Sequence, residues 1–270
     1  MQSAEPTLEF IGTATTLLRL GPFTLLTDPN FLHRGQRAYL GKGLFSKRLT
    51  EPSMQPADLP PYRAILLSHL HGDHFDRVAR RELAKDSLVL STPSAADRLH
   101  DWGFERAQGL EPWQSTTLSS DDASLRITAV PGQHAPGPAR PLLPEVMGSV
   151  LELRRRDSEV FRVYVTGDTL RRAWLREVTR RHGPLDAMVV HLGGTRVLGI
   201  LVTMDARQGA DLVEMLSPRV TVPIHHDDYT VFRSPLSSFE AEWQRRGLPG
   251  ELRVVERGSS VPLGAPATMV

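Results

Sequence analysis

The chain of 270 residues contains no cysteine. Disulfide bonds, thiolate nucleophiles and metal sites with thiolate ligands are therefore excluded, and the composition suits a reducing compartment. The chain also has almost no net charge, because its 32 basic and 31 acidic residues nearly cancel to +1. An overall charge so close to zero gives no reason to expect a nucleic acid as partner.

Long hydrophobic runs are absent as well. No stretch approaches the roughly 20 apolar residues that a membrane-spanning helix needs. The first twelve residues, MQSAEPTLEFIG, do not combine a basic region with a long apolar stretch, so the sequence predicts no signal peptide. We expect a cytoplasmic protein without an integral membrane segment.

The pattern of apolar residues predicts strands and helices interspersed in both halves of the chain. Apolar runs typical of strands occupy residues 7–12, 15–20, 23–29, 64–69, 87–93, 124–134, 149–155 and 160–169 (as a hairpin turning at 156–158), 187–194, 220–225 and 252–264 (as a last strand or hairpin). Helices are predicted at residues 75–85, from 94 to Gly103, from 170 to Gly183, at 205–216 and after Ser234–Pro235, with Ser234 as N-cap and Pro235 as first helical residue. Two mixed β-sheets packed face to face with helices on the outside satisfy both patterns, which is an α/β fold. No linker divides the chain, so we expect one domain spanning residues 1–270.

Several predicted strands end on histidine or aspartate. The motif SHLHGDHFD, residues 68–76, directly follows the apolar run RAILL, and HLHGDH within it contains three histidines and one aspartate. Buried without partners, such groups would cost several kcal/mol in lost solvation. Three later strands lead in the same way to His134, Asp168 and His225. Since sites assemble at the carboxyl ends of strands, these residues predict a metal centre at one edge.

The spacing within the motif indicates two metal ions. His69 and His71 are two residues apart, so in an extended backbone they point to the same side and can bind one ion. Gly72 permits a turn, after which Asp73 and His74 point elsewhere and can bind a second ion. Nitrogen and carboxylate ligands without thiolate suit Zn²⁺ best, and Mn²⁺ and Fe²⁺ accept the same set.

HLHGDH matches the HxHxDH signature, and the sequence thereby resembles the metallo-β-lactamase superfamily. The order of His134, Asp168 in TGDT and His225 agrees with the later ligands of that superfamily, and the similarity extends from about residue 25 to 229. LLTDP at residues 25–29, PGQH around His134 and PIHHDDY further resemble the branch of ascorbate-phosphate lactonase and N-acylphosphatidylethanolamine-hydrolysing phospholipase D. The missing cysteine argues against the antibiotic-hydrolysing subclass that uses one as ligand.

The resemblance implies an αββα sandwich whose site holds two divalent ions. By motif position the first ion would be bound by His69, His71 and His134, the second by Asp73, His74 and His225, and Asp168 would bridge them. His226 follows His225 directly, where relatives often have an aromatic residue. We prefer His225 as the ligand, because it occupies the P-x-H position.

Such a centre predicts a hydrolase. A hydroxide held between two ions would attack the carbonyl carbon or phosphorus of a phosphodiester, a lactone or another ester of a small or lipid-like substrate. Asp73 would carry the proton from nucleophile to leaving group. His191, at the end of a core strand, would contact substrate or stabilise the developing oxyanion, or be a core histidine. Asp28 either orients a histidine ligand or is a turn residue before Pro29.

Two other functions compete with this hypothesis. A nuclease on the same fold would need a basic track or an inserted arm, which the near-neutral charge and the absence of a long insertion disfavour. A non-catalytic metal-binding scaffold is disfavoured because all seven ligands are present. The basic and aromatic residues within 31–49 indicate either a lid over the site or, as we prefer, a solvated surface connection. The sequence does not indicate the oligomeric state.

Overall fold

The computed structural model describes residues 5–137, 143–156 and 159–264. In chain order its strands are β1 (Thr7–Gly12), β2 (Thr15–Leu20), β3 (Phe23–Thr27), β4 (Arg37–Tyr39), β5 (Phe45–Lys47), β6 (Ala64–Leu66), β7 (Val89–Ser91), β8 (Ala107–Gly109), β9 (Ser115–Ser119), β10 (Ala123–Pro131), β11 (Met147–Arg155), β12 (Phe161–Val165), β13 (Ala187–His191), β14 (Arg196–Val197), β15 (Ile200–Leu201), β16 (Val220–Ile224), β17 (Glu251–Leu252) and β18 (Ser260–Pro262). The α-helices are α1 (Arg77–Glu82), α2 (Pro93–Asp101), α3 (Glu177–His182), α4 (Ala206–Leu216) and α5 (Leu236–Arg246), with short 3-10 helices at Pro56–Asp58 and Ala173–Arg176.

Two seven-stranded sheets form the centre of the fold. The first has the order β18-β1-β2-β3-β6-β7-β8 and the second β17-β16-β13-β12-β11-β10-β9. Each sheet contains antiparallel hairpins on one side and a parallel set on the other, namely β3-β6-β7-β8 and β12-β13-β16-β17. Both sheets are therefore mixed, as the sequence predicted.

Alternating side chains on the strands bury both faces of each sheet. In β13, Ala187 and Val189 belong to the core between the sheets, while Met188 and Val190 pack under α3, α4 and α5. In β6, Leu66 faces the core between the sheets and Ile65 packs towards α1 and α2. Strands that are buried on both faces consist of nearly continuous apolar residues. This is why AILL at residues 64–67 and AMVV at residues 187–190 could be predicted as strands. The predicted αββα sandwich is confirmed.

Some predicted elements differ in the structure. Pro235 occupies the N-cap position of α5 instead of its first helical position, and the Ser234 hydroxyl instead accepts the N–H of Ala206, the first residue of α4, at 3.0 Å. The C-terminal segment is not a hairpin, because β17 pairs with β16 in one sheet and β18 with β1 in the other. Residues 157 and 158 of the predicted hairpin turn lie outside the described residues, whereas its strands are confirmed as β11 and β12.

Two further hairpins lie outside the main sheets. β4 pairs with β5, and β14 with β15, each as an antiparallel pair. The first lies within residues 30–60, where the sequence predicted neither a strand nor a helix. Among the described residues, no helix is long and apolar enough to cross a membrane.

Candidate metal centre

The direction of the strands brings the predicted ligands to one edge of the sandwich. β3 and β6 are parallel to each other, as are β12, β13 and β16, so the members of each set end at the same edge. β10 has the direction of β12, because both are antiparallel to β11. The residues that end or follow these strands are Asp28, His69, His71, Asp73, His74, His134, Asp168, His191 and His225, and all are buried.

Three histidines form one group with converging nitrogen atoms. His69 Nε2 lies 3.0 Å from His71 Nδ1, and His134 Nε2 lies 3.3 Å from the same atom. The remaining ring nitrogen of His134, Nδ1, lies 2.8 Å from the carbonyl oxygen of Val202. A carbonyl only accepts, so Nδ1 carries the hydrogen and Nε2 offers its lone pair to the group. This group can bind one divalent ion.

A second group contains Asp73, His74 and His225, whose ligand atoms lie within 4.8 Å of one another. His225 Nε2 lies 3.5 Å from Asp73 Oδ2. His225 Nδ1 donates to the Leu192 carbonyl oxygen at 3.1 Å, which again leaves Nε2 as the free electron-pair donor. The closeness of the three ligand atoms and the free Nε2 of His225 suit a second ion.

Asp168 lies between the two groups. Its ligand atom is within 4.8 Å of those of His69 and His74, one residue from each group. Oδ2 is 3.5 Å from His74 Nε2 and also accepts the hydroxyl hydrogen of Thr203 at 2.9 Å. A carboxylate in this position can reach ions in both groups.

Unpartnered polar atoms provide a test of whether metal ions fit. Asp73 Oδ1, His74 Nε2, Asp168 Oδ1 and His225 Nε2 are all buried and have no hydrogen-bond partner among the described residues. A buried polar atom without a partner costs about 1–3 kcal/mol. Four of them within a few ångströms of each other, on imidazole and carboxylate groups, fit divalent cations that would complete their bonding.

The two groups differ in electrostatics. Burial, assisted by His134, lowers the pKa of His71 to about 3, so the first group consists of neutral imidazoles. Burial also lowers the pKa of His74, but Asp168, Asp28 and Asp73 outweigh it and hold that pKa well above its usual range. Burial would raise the pKa of Asp168, yet His225 and His74 keep it well below its usual range. The ionised carboxylate of Asp168 therefore attracts cations to the space between the two groups.

Asp28 contacts the His74 ring on the side away from the second group. Its Oδ2 lies 3.1 Å from His74 Nδ1, and its Oδ1 accepts the N–H of Ser68 at 2.6 Å. Of the two interpretations from the sequence, these contacts favour the one in which Asp28 orients a histidine. His191 Nε2 lies 3.5 Å from the same Asp28 Oδ2, and Thr166 contacts the other ring nitrogen at 3.3 Å. Asp28, His74 and His191 form a further group of close ligand atoms.

The neighbouring histidines 225 and 226 have different environments. His225 is fully buried within the second group. His226 belongs to none of the groups found among the described residues, and its Nδ1 lies 3.6 Å from Asp227 Oδ1. Ser68 and Thr203 contact the predicted ligands through their hydroxyl groups. Ser68 begins the motif but was missed because a serine hydroxyl is not a typical metal ligand, and Thr203 was missed because it is distant in the chain from Asp168.

A cavity of about 490 Å³ opens above the centre. His71, Asp73, His134 and Asp168 line it from below, and His191 is not among the described residues that line it. Its walls come from the turn and edge of the β4–β5 hairpin and from residues 195–202. Residues 31–49 thus contribute a wall of the cavity, in contrast to the solvated connection that we preferred from the sequence.

A protein-family domain and several known proteins are similar in sequence to most of this chain. Residues 24–226 match the Beta-lactamase superfamily domain. A UPF0173 metal-dependent hydrolase of Thermococcus kodakarensis is 25% identical over 260 residues, which are 95% of this chain and 99% of that protein. The UPF0173 protein YddR of Bacillus subtilis is 24% identical over 259 residues, covering 93% of this chain and 97% of the relative.

Solved structures show the same fold. An isothiocyanate hydrolase from Delia radicum gut bacteria superposes with a TM-score of 0.80 at 20% identity, covering 96% of this chain and 100% of the other. A possible metal-dependent hydrolase from Veillonella parvula gives the same TM-score and coverage at 19% identity.

Proposed function

The chain belongs to the metallo-β-lactamase superfamily, and from this premise we propose that it is a hydrolase dependent on two divalent metal ions, most favourably Zn²⁺. In this proposal His69, His71 and His134 would hold the first ion, Asp73, His74 and His225 would hold the second, and Asp168 would be shared between them. The observation that carries the proposal is the set of four unpartnered buried atoms on Asp73, His74, Asp168 and His225. The names of the UPF0173 relatives support the metal-dependent hydrolysis.

When bound, two such ions supply a Lewis acid and a water of lowered pKa. Asp73 serves as the proton carrier at the floor of the cavity. Burial would raise its pKa, but His74 and His225 outweigh this and lower it, so that the carboxylate is ionised and can accept a proton. One oxygen of the Asp73 carboxylate would hold the ion, and the other would take the proton and pass it to the leaving group.

Other residues of the chain position these groups. Asp28 keeps the His74 ring oriented through Nδ1, so that Nε2 points into the second group. His191 contacts Asp28 from behind, and its contribution in this proposal is to hold Asp28 in place. The substrate contact that the sequence predicted for His191 stays a prediction, and His191 is not among the described residues that line the cavity.

We propose an ester-type substrate, a phosphodiester, a lactone or another ester, that is small or lipid-like. The apolar walls of the cavity support this choice, because a groove for a nucleic acid backbone would be lined by many basic residues. The same apolar walls favour a second candidate, hydrolysis of an isothiocyanate, which the name of one structural neighbour gives for that protein.

Metal content and turnover test this function together. The protein is stripped with a chelator, reloaded with Zn²⁺ or Mn²⁺, and assayed with bis(4-nitrophenyl) phosphate, a γ-lactone, 4-nitrophenyl acetate and benzyl isothiocyanate. We expect two ions per chain and turnover of at least one substrate that disappears on metal removal. Losing a residue that merely orients a ligand costs about 10–100-fold, so Asp168→Ala should lower turnover roughly 100-fold or more and retain fewer than two ions.

Asp186→Asn is the matched control. Asp186 accepts the Arg162 N–H at 2.8 Å, away from the metal centre, so this variant should bind two ions and keep its turnover. Failure of the wild-type protein to bind any metal would refute the proposal. Two bound ions without turnover of any of the four substrates would refute the ester and isothiocyanate assignments and leave a metal-binding scaffold.

A further inference from the structure

The cavity above the metal centre has walls of unusual composition. The β4–β5 hairpin contributes Leu40, Leu44 and Phe45, and the segment around β14–β15 contributes Val197, Leu198 and Ile200. Several of these side chains are also exposed at the mouth, with Phe45 at 61% and Leu198 at 98% of its full accessible surface. Two apolar hairpins thus flank one opening, a pattern typical of a site that receives an apolar ligand.

Two cationic side chains interrupt these apolar walls. Lys42 and Arg196 both line the cavity. Lys42 forms no ion pair with any residue that the structure describes. Arg196 donates to the carbonyl oxygen of Gly199 at 3.2 Å and lies 3.8 Å from Asp205, in an ion pair whose side chains are both partly exposed. An exposed pair of this kind contributes little binding energy, so the charge of Arg196 remains available to a ligand.

No acidic residue of the described lining is left to neutralise these cations. The carboxylates that line the cavity are Asp73 and Asp168, and both belong to the proposed metal ligands. With the ions bound, these carboxylates face metal. The mouth of the cavity then carries an excess of positive charge next to apolar surface.

The backbone around Lys42 indicates that its position is specific. Gly41, Lys42 and Gly43 all have positive φ, of 83°, 49° and 78°. A left-handed conformation costs a lysine roughly 1 kcal/mol, and turns in which the side chain has no role normally use glycine or asparagine there. The turn also lies close to the centre, since a Cβ on Gly41 would be 3.8 Å from His71 Nε2.

We propose that Lys42 and Arg196 form an anion-binding subsite, and that the substrate is an amphiphile with one anionic group beside an apolar body. The apolar body would contact the hairpin residues of the cavity wall, and the carboxylate, sulfonate or phosphate group would contact the two cations. This inference rests on the proposed function, because it takes the cavity above the metal centre as the substrate site.

A pair of fluorescent probes with one skeleton tests the subsite. 1-Anilinonaphthalene-8-sulfonate carries one negative charge, and N-phenyl-1-naphthylamine is its neutral counterpart. Each is titrated into zinc-loaded wild-type protein and into Lys42→Met and Arg196→Met, variants that keep the apolar stem length and remove the charge. Lys47→Met is the matched control, since Lys47 is an exposed lysine of the same hairpin that does not line the cavity.

We expect each cavity variant to raise the Kd of the sulfonate probe about fivefold, the usual size of a partly exposed charged contact. The Kd of the neutral probe should change less than twofold, and Lys47→Met should affect neither. Octanoate should displace the sulfonate probe from wild-type protein at lower concentration than 1-octanol. Equal weakening of both probes, no weakening of either, or an equal effect of Lys47→Met would overturn the subsite.

The binding readout separates this inference from the proposed function. It requires no turnover, so an inactive protein whose sulfonate binding depends on Lys42 would support the subsite while refuting the hydrolase. An active protein whose probe binding is insensitive to both cavity variants would refute the subsite alone.

Discussion

His225 has a backbone conformation that few histidines adopt. Its φ is +62°, a conformation that costs about 1–2 kcal/mol outside glycine. Two hydrogen bonds stabilise it, from the His225 N–H to Thr13 at 2.9 Å and from Nδ1 to Leu192 at 3.1 Å. Together they hold Nε2 near Asp73, whereas the ring of His226 contacts Asp227.

This difference predicts opposite results for two adjacent alanine variants. His225→Ala should lose about one ion per chain, because it removes a ligand of the second metal. His226→Ala should retain two. Metal content measured by mass spectrometry after desalting decides between them, with circular dichroism confirming that both variants are folded. If His226→Ala loses the ion and His225→Ala keeps it, our ligand assignment is wrong.

At the scale of single residues, the metal groups could be predicted because ligand spacing is a local property. HLHGDH places three histidines and one aspartate within six residues, and His134, Asp168 and His225 each follow an apolar strand. The role of Thr203 could not be predicted, since its contact with Asp168 depends on how separate loops meet in space. The cationic residue Lys42 was visible in the sequence, but its position beside the centre depends on the β4–β5 hairpin.

Among the helices, α1 begins at an N-cap residue, Asp76, whose carboxylate accepts four backbone N–H groups. Asp76 Oδ1 accepts the N–H groups of Val78 and Ala79, each at 2.8 Å, and Oδ2 accepts those of Phe31 and Leu32 at 2.5 and 2.7 Å. One buried carboxylate therefore starts the helix and also anchors the segment that leads to the β4–β5 hairpin. Asp205 caps α4 through a single bond to the N–H of Gln208 at 3.0 Å.

The number of bonds predicts the cost of removing each cap. Asp76→Ala should destabilise the protein by about 3 kcal/mol or more, because it removes the cap and leaves two buried N–H groups unpaired. Asp205→Ala should cost about 1 kcal/mol, as an ordinary N-cap does. Urea denaturation of metal-free protein measures both without a contribution from bound ions. Equal losses in the two variants would contradict the double role of Asp76.

At the scale of elements, prediction succeeded where strands are long and buried on both faces. β13 and β16 are continuous apolar runs, and their limits were found within a few residues. β8 and β14 were missed, because they are two or three residues long and contain polar or exposed positions. The start of α5 was misjudged because Ser234 bonds to α4, a contact between elements that the local Ser-Pro signal does not contain.

Across the whole molecule, one buried aspartate connects segments far apart in the chain. Asp228 accepts the N–H of Thr13 at 2.8 Å and the hydroxyl hydrogen of Thr50, and it contacts Arg257 at 3.1 Å and the buried Arg48 at 3.7 Å. Arg48 in turn donates to the carbonyl oxygen of Asn30, whose amide donates to the Gly72 carbonyl oxygen at 2.7 Å. The network therefore extends from Arg257, shortly before β18, to Gly72 within the HLHGDH motif.

The C-terminal strands show the same long-range connection. β17 extends one sheet and β18 the other, so the last described residues belong to both halves of the sandwich. The single domain over residues 1–270 stays a prediction. The pairing of β17 and β18 with different sheets could not be predicted from residues 252–264 alone, because their apolar pattern is equally compatible with a hairpin.

Asp228→Asn tests how much the network stabilises the whole fold. Removing the charge leaves Arg48 buried without its anionic partner, so the free energy of unfolding at pH 7 should fall by about 3 kcal/mol or more. Asp227→Asn, which alters a half-exposed aspartate paired with Arg257, should cost less than about 1 kcal/mol. Urea denaturation monitored by circular dichroism measures both variants, and similar losses would show that the burial of Asp228 has no special effect.

The pH dependence of the stability difference between wild type and Asp228→Asn tests directly whether the charge of Asp228 is the cause. Burial would raise the pKa of Asp228, but Arg257, the Thr50 hydroxyl and Arg48 outweigh it and hold the pKa below its ordinary value of 3.8. A carboxyl whose pKa is lower in the folded state binds fewer protons there, so it stabilises the fold above pH 3.8 and loses this effect as the pH falls further. The stability difference between wild type and Asp228→Asn should therefore be constant from pH 7 to 5 and shrink below pH 4. A difference that stays constant down to pH 3, in a protein still folded there, would mean that the lost ionisation is not the cause.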